Sequence, residues 1–324
     1  VNDSRALLDD YTSLWLDSTL DGSDRKPATR RLYRNLAEKH IIGAAVGAMP
    51  LRKVLPRHVE RWVADLRTAG LSQSTVRQTY IVLRAIFDTA VRDQLLASNP
   101  AAAVPRPRVA QHESEHLTAE QVARLLDAAQ SSRYGILFDF LANTGLRRGE
   151  ALALRWQDVD LVRNTLQVRA TLARVDGKLV RLPPKTTSSR RNVPLSGRAA
   201  EILRSARQRQ LADQKAVEPW WTDTGFVFTT EAGEPCDPRN ALRALKSAAT
   251  HAGLPNVSLH TLRHTAATLM LLNNVPLKVV SEILGHSSIT ITADIYGHVT
   301  HDAARDALTT LDQALRPKAS DWTP

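Results

Sequence analysis

The stretch TLQVRATLARVDGKLVRL, residues 165–182, decides the fold class because it interrupts a chain that is otherwise patterned as helices. Threonine and valine recur in it, and Asp176–Gly177 is a dipeptide typical of the turn of a β-hairpin. Shortly afterwards RNVPL, residues 191–195, predicts another short strand. We therefore predict a mainly α protein with a small antiparallel β-sheet, which is an α+β fold.

The first hundred residues are patterned as helices. Apolar residues at helical spacing predict one helix after Asp3 and Ser4 and others over 26–40, 56–70 and 75–96. The last of these has the clearest apolar stripe, and Ser74 is its predicted N-cap. The apolar residues of these stripes are expected to form a helical core.

Helical patterns also occupy most of the chain beyond residue 117. Thr118 and Gln121 have the spacing of a capping box at the start of a helix. After the predicted strands, helical periodicity returns at 198–214 and continues nearly to the end, where a stripe over 304–315 predicts a tail helix. Between the two helical regions, NPAAAVPRPRVAQHESEHL at 99–117 has three prolines and no periodicity, which predicts a linker between two domains.

The composition narrows the class of protein. Lys and Arg number 43 against 33 Asp and Glu, so the net charge is +10 and the pI is near 10.1, which suits a polyanionic partner such as DNA. The single cysteine, Cys236, excludes an intrachain disulfide framework and a cysteine-rich zinc site. No stretch resembles a secretory signal or a membrane span, so we expect a cytoplasmic protein without membrane association.

Five short segments of the second domain carry polar residues that can do chemistry. Arg147 follows a Thr-Gly turn at a helix start, and Lys185 lies in the turn between two strands. His260, Arg263 and His264 are three and four residues apart, so a helix would place them on one face. The last two segments contain His286, which follows a glycine that can end a helix, and Tyr296.

Each of these residues alone is more often structural than catalytic, but together they form an inventory for phosphoryl transfer without a metal. Two guanidinium groups can grip phosphate oxygens and stabilise the charge of the transition state. A phenol can act as a covalent nucleophile if a base accepts its proton or cations lower its pKa. A lysine can protonate a leaving alkoxide.

These segments resemble the tyrosine recombinases, the phage-integrase type of site-specific DNA recombinase. TGLRRGEALALRW at 144–156 resembles the first box of the family, and HTLRHTAATLML at 260–271 with LGHSSITITADIYGHV at 284–299 resembles the second. PPKTTSSRRNVPL at 183–195 resembles the segment of the β-hairpin that carries a lysine in the family. The resemblance covers residues 117–299.

The resemblance implies a domain organisation as well. GLSQSTVRQTYIVLRAIFDTAVRDQLLASNPA at 70–101 is similar to the core-site-binding domain of these enzymes. We accordingly expect a helical core-site DNA-binding domain over 1–100, a linker over 101–116, and a catalytic domain with a C-terminal tail helix over 117–324. Many phage integrases carry an additional small arm-site-binding domain at the N-terminus; the helices here start almost at residue 1, so either the enzyme lacks that domain or the domain lies upstream of this sequence.

The resemblance assigns catalytic roles to six residues and supporting roles to three. Tyr296 would be the nucleophile that forms a 3′-phosphotyrosyl bond and releases a 5′-hydroxyl. Arg147 and Arg263 would bind the scissile phosphate, and Lys185 would be the general acid toward the leaving oxygen. The remaining assignments are proton transfer at the tyrosine for His260, a hydrogen bond to the phosphate for His286, orientation of the site for Glu150, and supporting roles for His264 and His298.

The implied function is cleavage and rejoining of DNA strands without a metal, a cofactor or ATP, in the integration or excision of a phage or mobile element. The substrate would be double-stranded DNA with core-type sites, and the active assembly a homotetramer aided by accessory DNA-bending or directionality factors. The tail helix would cover its own domain or pack on a neighbouring protomer. An Xer-like role in resolving chromosomes or plasmids is the alternative.

Three other classes of protein share parts of this pattern. His260, His264 and His286 could be zinc ligands, but the intervening residues lack the glutamate of H-E-x-x-H, and Arg263 on the same face would repel a metal ion. A DNA-binding protein without catalysis would need neither Lys185 nor Tyr296 in these contexts. A type IB topoisomerase shares the nucleophile and arginines, but domain order and length favour a recombinase.

Overall fold

The computed structural model describes residues 6–110, 116–175, 177–184, 189–254, 256–286 and 288. The chain divides into two compact units, Val1–His112 and Glu113–Pro324. The first is helical and the second combines helices with two small antiparallel sheets, so the predicted α+β fold is confirmed. Within the described part of the chain, none of the helices combines the length and apolar character that a membrane crossing requires.

The described residues of unit one, 6–110, form four α-helices. They are α1 (Leu8–Trp15), which continues as a π-helical segment over Leu16–Leu20, α2 (Pro27–His40), α3 (Pro56–Thr68) and α4 (Gln73–Arg92). The core contains the aromatic side chains predicted from the stripe of α4, Tyr80 and Phe87, both fully buried. The Tyr80 hydroxyl donates to the carbonyl oxygens of Ala101 and Val104 at 2.6 and 2.9 Å, which fixes the chain after α4 against the helices.

The N-cap predicted for α4 was wrong by two residues. The hydroxyl of Ser72 accepts the Thr75 backbone N–H at 3.2 Å, so Ser72 is the N-cap and Ser74 lies inside the helix. The geometry explains the choice, because a capping hydroxyl bonds the N–H three residues later and the helix begins directly after it. The helix also ends at Arg92, before the predicted end at Leu96.

Unit two contains seven α-helices, one 3-10 helix (Trp156–Asp158) and five strands among its described residues. The helices are α5 (Ala119–Ala128), α6 (Gly135–Thr144), α7 (Arg148–Leu152), α8 (Gly197–Val217), α9 (Pro238–His251), α10 (Leu259–Leu272) and α11 (Leu277–Leu284). The strands are β1 (Val159–Asp160), β2 (Thr165–Val168), β3 (Thr171–Val175), β4 (Lys178–Leu182) and β5 (Arg191–Pro194). The predicted capping box at α5 is confirmed, because Thr118 accepts the Gln121 N–H and Gln121 accepts the Thr118 N–H.

The strands form two sheets. One has the order β1-β2-β5 and the other is the hairpin β3-β4, with all neighbours antiparallel. The stretch 165–175, patterned as one strand, is thus divided at Arg169 and Ala170. Leu166, Val168 and Leu172 are all buried, so the alternation continues through the break while the partner strand changes from β5 to β4.

The packing of unit two brings the ends of several helices and strands together. α6 packs against α8 and α10, while α11 contacts both α10 and β5. Leu117, just before α5, donates its backbone N–H to the buried hydroxyl of Thr265 on α10 at 3.0 Å. The C-terminal ends of α6 and α11 and the first residues of α7, β5 and α10 consequently surround one small region.

Candidate active site

The first two turns of α10 carry three of the predicted site residues, His260, Arg263 and His264. The hydroxyl of Ser258 accepts the Thr261 N–H at 3.1 Å and caps the helix. The ring centroids of His260 and His264 lie 4.3 Å apart with an angle of 82° between the rings. The helical spacing therefore places these imidazoles on one face, as predicted.

Arg263 enters the interior of unit two. The residue is 2% exposed, and its guanidinium donates to the carbonyl oxygens of Gly145 and Leu284, both at 2.8 Å. Gly145 is the last residue of the turn that ends α6, where φ is +63°. Arg263 thereby joins α10 to the ends of α6 and α11.

Arg147 is the N-cap residue of α7, and its partner is Glu150. The Glu150 carboxylate accepts the backbone N–H of Arg147 at 3.0 Å and its guanidinium at 2.8 Å. A second guanidinium nitrogen of Arg147 donates to the carbonyl oxygen of Gly285 at 2.9 Å. The Arg147 side chain is 39% exposed while that of Glu150 is 4% exposed, so Arg147 offers its charge at the surface of the site.

The C-terminal end of α11 is held by three arginines. The consecutive carbonyl oxygens of Ile283, Leu284 and Gly285 accept hydrogen bonds from Arg191, Arg263 and Arg147 respectively. The last carbonyls of a helix lack partners within the helix and carry partial negative charge, so cations are favoured there. His286 is the next residue, and the three bonds fix its backbone beside the two predicted phosphate-binding arginines.

Arg191 is a site residue that the sequence reasoning missed. It lies at the start of β5, and its guanidinium also pairs with both carboxylate oxygens of Glu150, at 3.1 and 3.5 Å. The sequence did contain an indication of a buried arginine, because strand alternation puts Arg191 on the same face as Val193, which is 1% exposed. An arginine on the buried face of a strand requires a partner.

The charges of the site shift the pKa values of its acid and its histidines. Burial raises the pKa of Glu150, but Arg191 and Arg147 outweigh it and hold the pKa below its usual value. Burial, with His260 and Arg263 adding to it, lowers the pKa of His264 to about 4. Burial followed by the charges of Arg263 and Arg147 lowers the pKa of His286 to about 4 as well.

Burial, Arg263 and Arg147 also lower the pKa of His260. His264 and His286 are therefore neutral imidazoles at pH 7, which can donate or accept hydrogen bonds without adding positive charge. Two guanidinium groups beside neutral imidazoles can bind an anion with oxygen ligands and exchange a proton with it. Three predicted residues, Lys185, Tyr296 and His298, lie outside the described residues.

The described residues contain no group of three or more His, Cys, Asp or Glu side chains that could hold a metal ion. The two neighbouring histidines of α10 have Arg263 between them in the sequence, and its charge lowers the pKa of both. A cation in this position opposes binding of a second cation, so the site suits an anionic ligand.

Comparison with known proteins agrees with this geometry. Residues 115–302 match the phage integrase family. A XerC-like tyrosine recombinase of Caldanaerobacter subterraneus subsp. tengcongensis is 32% identical over 94% of this chain and 82% of its own length. An integrase of Saccharopolyspora erythraea is 26% identical over 86% of this chain and 76% of its own length.

Solved structures show the same fold. A Tn1549 transposon integrase in complex with a circular intermediate DNA superposes with a TM-score of 0.76 at 23% identity, covering 94% of this chain and all of that one. A lambda integrase tetramer bound to a Holliday junction gives a TM-score of 0.69 at 18% identity, covering 90% of this chain and 78% of that one.

The fold and the sequence matches define a tyrosine recombinase, an enzyme that transfers DNA strands. The chain belongs to the phage integrase family. The resemblance stated from the sequence motifs is thus confirmed.

Proposed function

We propose that this recombinase is an integrase of a phage or mobile element that cleaves and rejoins double-stranded DNA through a covalent bond to Tyr296. The observation that carries the proposal is the meeting of Arg147, Arg263 and His286 at the end of α11. Tyr296 follows His286 by ten residues in the sequence.

In the proposed reaction, the Tyr296 oxygen attacks the scissile phosphorus and the bond to the 5′-oxygen breaks. Arg147 and Arg263 stabilise the negative charge of the transition state, and the neutral imidazole of His286 donates a hydrogen bond to a phosphate oxygen. His260 accepts the phenolic proton, and Lys185 protonates the leaving 5′-oxygen. The phosphotyrosine keeps the bond energy, so a second 5′-hydroxyl can reverse the step without ATP, metal or cofactor.

Glu150 orients Arg147 in this proposal, while His264 and His298 support the histidines. Residues 1–100 are the core-site DNA-binding domain, 101–116 the linker, and 117–324 the catalytic domain with a tail helix. The active assembly is a homotetramer on DNA, a proposal supported by the lambda integrase tetramer bound to a Holliday junction. Accessory DNA-bending or directionality factors would act on the same DNA, in the cytoplasm and at the nucleoid.

The test is covalent trapping on a nicked DNA duplex that carries the recombination site, which is first identified by searching the DNA beside the gene for paired core-type sites. The protein should form a covalent complex whose mass corresponds to the protein joined to the DNA fragment that ends in the 3′-phosphate, while the fragment with the 5′-hydroxyl is released. Tyr296→Phe should bind the same DNA and form no such complex, because phenylalanine lacks the attacking oxygen. Covalent trapping by Tyr296→Phe would contradict the assignment of the nucleophile.

A second candidate is resolution of chromosomes or plasmids, favoured by the XerC-like relative at 32% identity. The two roles differ in their DNA. An integrase joins two sites of different flanking sequence, whereas a resolution enzyme recombines two identical sites on one circular molecule. Recombination assays with both kinds of plasmid substrate separate them.

A further inference from the structure

The side chain of Arg191 makes an unusually complete set of contacts beside the proposed catalytic residues. Its Nε donates to the Ile283 carbonyl oxygen at 2.7 Å, and Nη2 donates to Glu150 at 3.1 Å. Nη1 donates to the Ser189 carbonyl oxygen at 3.2 Å and reaches Glu150 at 3.5 Å. All three nitrogens therefore contact protein, in a side chain that is 8% exposed.

These contacts join three elements that are distant in the sequence. Glu150 belongs to α7, Arg191 to β5 and Ile283 to α11. Gly285 packs directly on the guanidinium, because a Cβ built on it would lie 2.6 Å from Nη1 of Arg191. The planar group thus lies between the carboxylate that holds Arg147 and the peptide that precedes His286.

The contacts also distinguish Arg191 from the arginines that are proposed to bind the phosphate. Arg147 has a side chain that is 39% exposed and can meet an incoming phosphate, and the hydrogen bonds of the buried Arg263 go to neutral carbonyl oxygens. Arg191 instead places all three nitrogens on protein acceptors, and both oxygens of the Glu150 carboxylate are among them. The described charged groups that face Glu150 are Arg191 and Arg147. Without Arg191, the buried carboxylate would keep one cationic partner and its orientation would no longer be fixed from two sides.

We propose that Arg191 is a positioning residue of the strand-cleavage reaction. It holds Glu150 against Arg147 and fixes the end of α11, so that Arg147 and His286 are placed for the scissile phosphate. The planar guanidinium of arginine is needed, because the single nitrogen of a lysine cannot span acceptors that Nε, Nη1 and Nη2 reach separately. This inference rests on the proposed roles of Arg147, His286 and Tyr296.

The experiment compares Arg191→Gln and Arg191→Lys in the full-length protein with a control variant, Arg163→Gln. The Arg163 side chain is 84% exposed on the loop after β1 and pairs with Asp160, so the control removes one positive charge that is not a partner of Glu150. Three quantities are measured on the nicked duplex: DNA affinity, the single-turnover rate of covalent complex formation at saturating protein, and the thermal unfolding midpoint.

We expect Arg191→Gln to bind DNA as the parent protein does and to cleave between about tenfold and about a hundredfold more slowly, because small displacements of positioned groups cost rates of this size. Arg191→Lys should remain slower than the parent. Arg163→Gln should match the parent in all three measurements.

The dependence of the rate on pH separates positioning from general loss of structure. Burial favours the neutral form of Glu150, and Arg191 is the stronger of the two cations that favour its ionised form. Loss of Arg191 therefore raises the pKa of Glu150, and the acidic limb of the rate profile should move to higher pH. His286 also titrates on the acidic side of the rate profile, and the charged or titratable groups that face it are Arg263, Arg147, His264 and Arg191.

A double variant tests whether Glu150 and Arg191 act together. Glu150→Gln combined with Arg191→Gln should lose less activity than the product of the two single losses, because the two residues act as one unit.

Several outcomes would overturn the inference. An unchanged rate for Arg191→Gln would do so, as would weakened DNA affinity with an unchanged rate at saturation, since the latter marks a DNA ligand. A rate loss that is equal at every pH and follows the unfolding midpoint in both variants would show that Arg191 only stabilises the fold. Failure of the proposed function is seen separately, as covalent trapping by Tyr296→Phe, and leaves the comparison of Arg191 variants interpretable as cleavage rates.

Discussion

At the scale of single residues, the site combines three buried or half-buried arginines with histidines kept neutral. His264 and His286 both have a pKa lowered to about 4, so the folded state binds fewer protons than the unfolded state between pH 4 and about 6.5. Glu150 has a lowered pKa too, which extends the effect below its unfolded value. The neutral imidazoles and the ionised carboxylate are thus properties of the folded site.

This difference predicts how stability depends on pH. The free energy of unfolding should be fully developed above about pH 6.5 and should fall as the pH is lowered toward 4, because the unfolded chain takes up protons first. Denaturant unfolding of the protein at a series of pH values, followed for unit two, measures this dependence of the free energy of unfolding on pH. The double variant His264→Asn/His286→Asn should show a shallower fall over this range; an unchanged slope would contradict the shifted pKa values.

Gly285 gives a second prediction at this scale. Its φ of +67° disfavours any residue with a Cβ, and the added carbon would meet the Arg191 guanidinium at 2.6 Å. Gly285→Ala should therefore destabilise unit two by about 2 kcal/mol or more, as measured by denaturant unfolding. Gly253→Ala is the matched control, since Gly253 has a φ of +71° with no atom within 4 Å of the added carbon, and it should cost about 1 kcal/mol.

At the scale of elements, the residues at the ends of helices position the proposed catalytic side chains. Ser258 caps α10, the helix that carries His260 and Arg263, and Ser72 caps α4 in unit one with the same kind of bond. Each Ser→Ala substitution should cost its own helix about 1 kcal/mol. Ser258→Ala should also slow covalent complex formation at saturating protein, whereas Ser72→Ala should leave that rate unchanged. Equal rates for both variants would show that the cap does not position the site.

How much of these elements could be predicted depends on the range of the interactions. The capping box of Thr118 and the shared face of His260 and His264 were predicted because both depend on neighbours three or four residues away. The division of 165–175 into two strands was not, because it depends on which partner strand pairs with each half. Arg191 was missed for the same reason, since its partners lie on α7 and α11. The roles of Lys185 and Tyr296 stay predictions.

At the scale of the whole molecule, the positive charge should govern binding of DNA. In unit one, Arg57 and Arg61 lie one turn apart on α3 and both are exposed. We expect Arg57→Gln/Arg61→Gln to weaken DNA binding and to reduce its dependence on salt, because fewer counterions are released. Glu60→Gln removes an exposed negative charge from the same helix and should not weaken binding. Affinity measured from low to high salt compares the three proteins.

Independence from metal is a further expectation for the whole enzyme. The site assembles guanidinium groups where a metal-dependent nuclease would place carboxylates, so phosphate charge is met by arginine. Covalent complex formation should continue in excess EDTA at the rate measured without it. Loss of the reaction in EDTA and its return with added zinc would contradict the proposed chemistry.

The three arginines on the last carbonyls of α11 also explain how cations remain assembled before any DNA arrives. Like charges gathered at one point repel one another, yet here the negative end of a helix and one carboxylate compensate them. The partial negative charge at the end of α11 holds the three arginines in place as a bound anion would, so the phosphate-binding groups are already arranged before DNA binds. Little rearrangement is then needed when a phosphate arrives, which is the condition under which electrostatic stabilisation of a transition state is most effective.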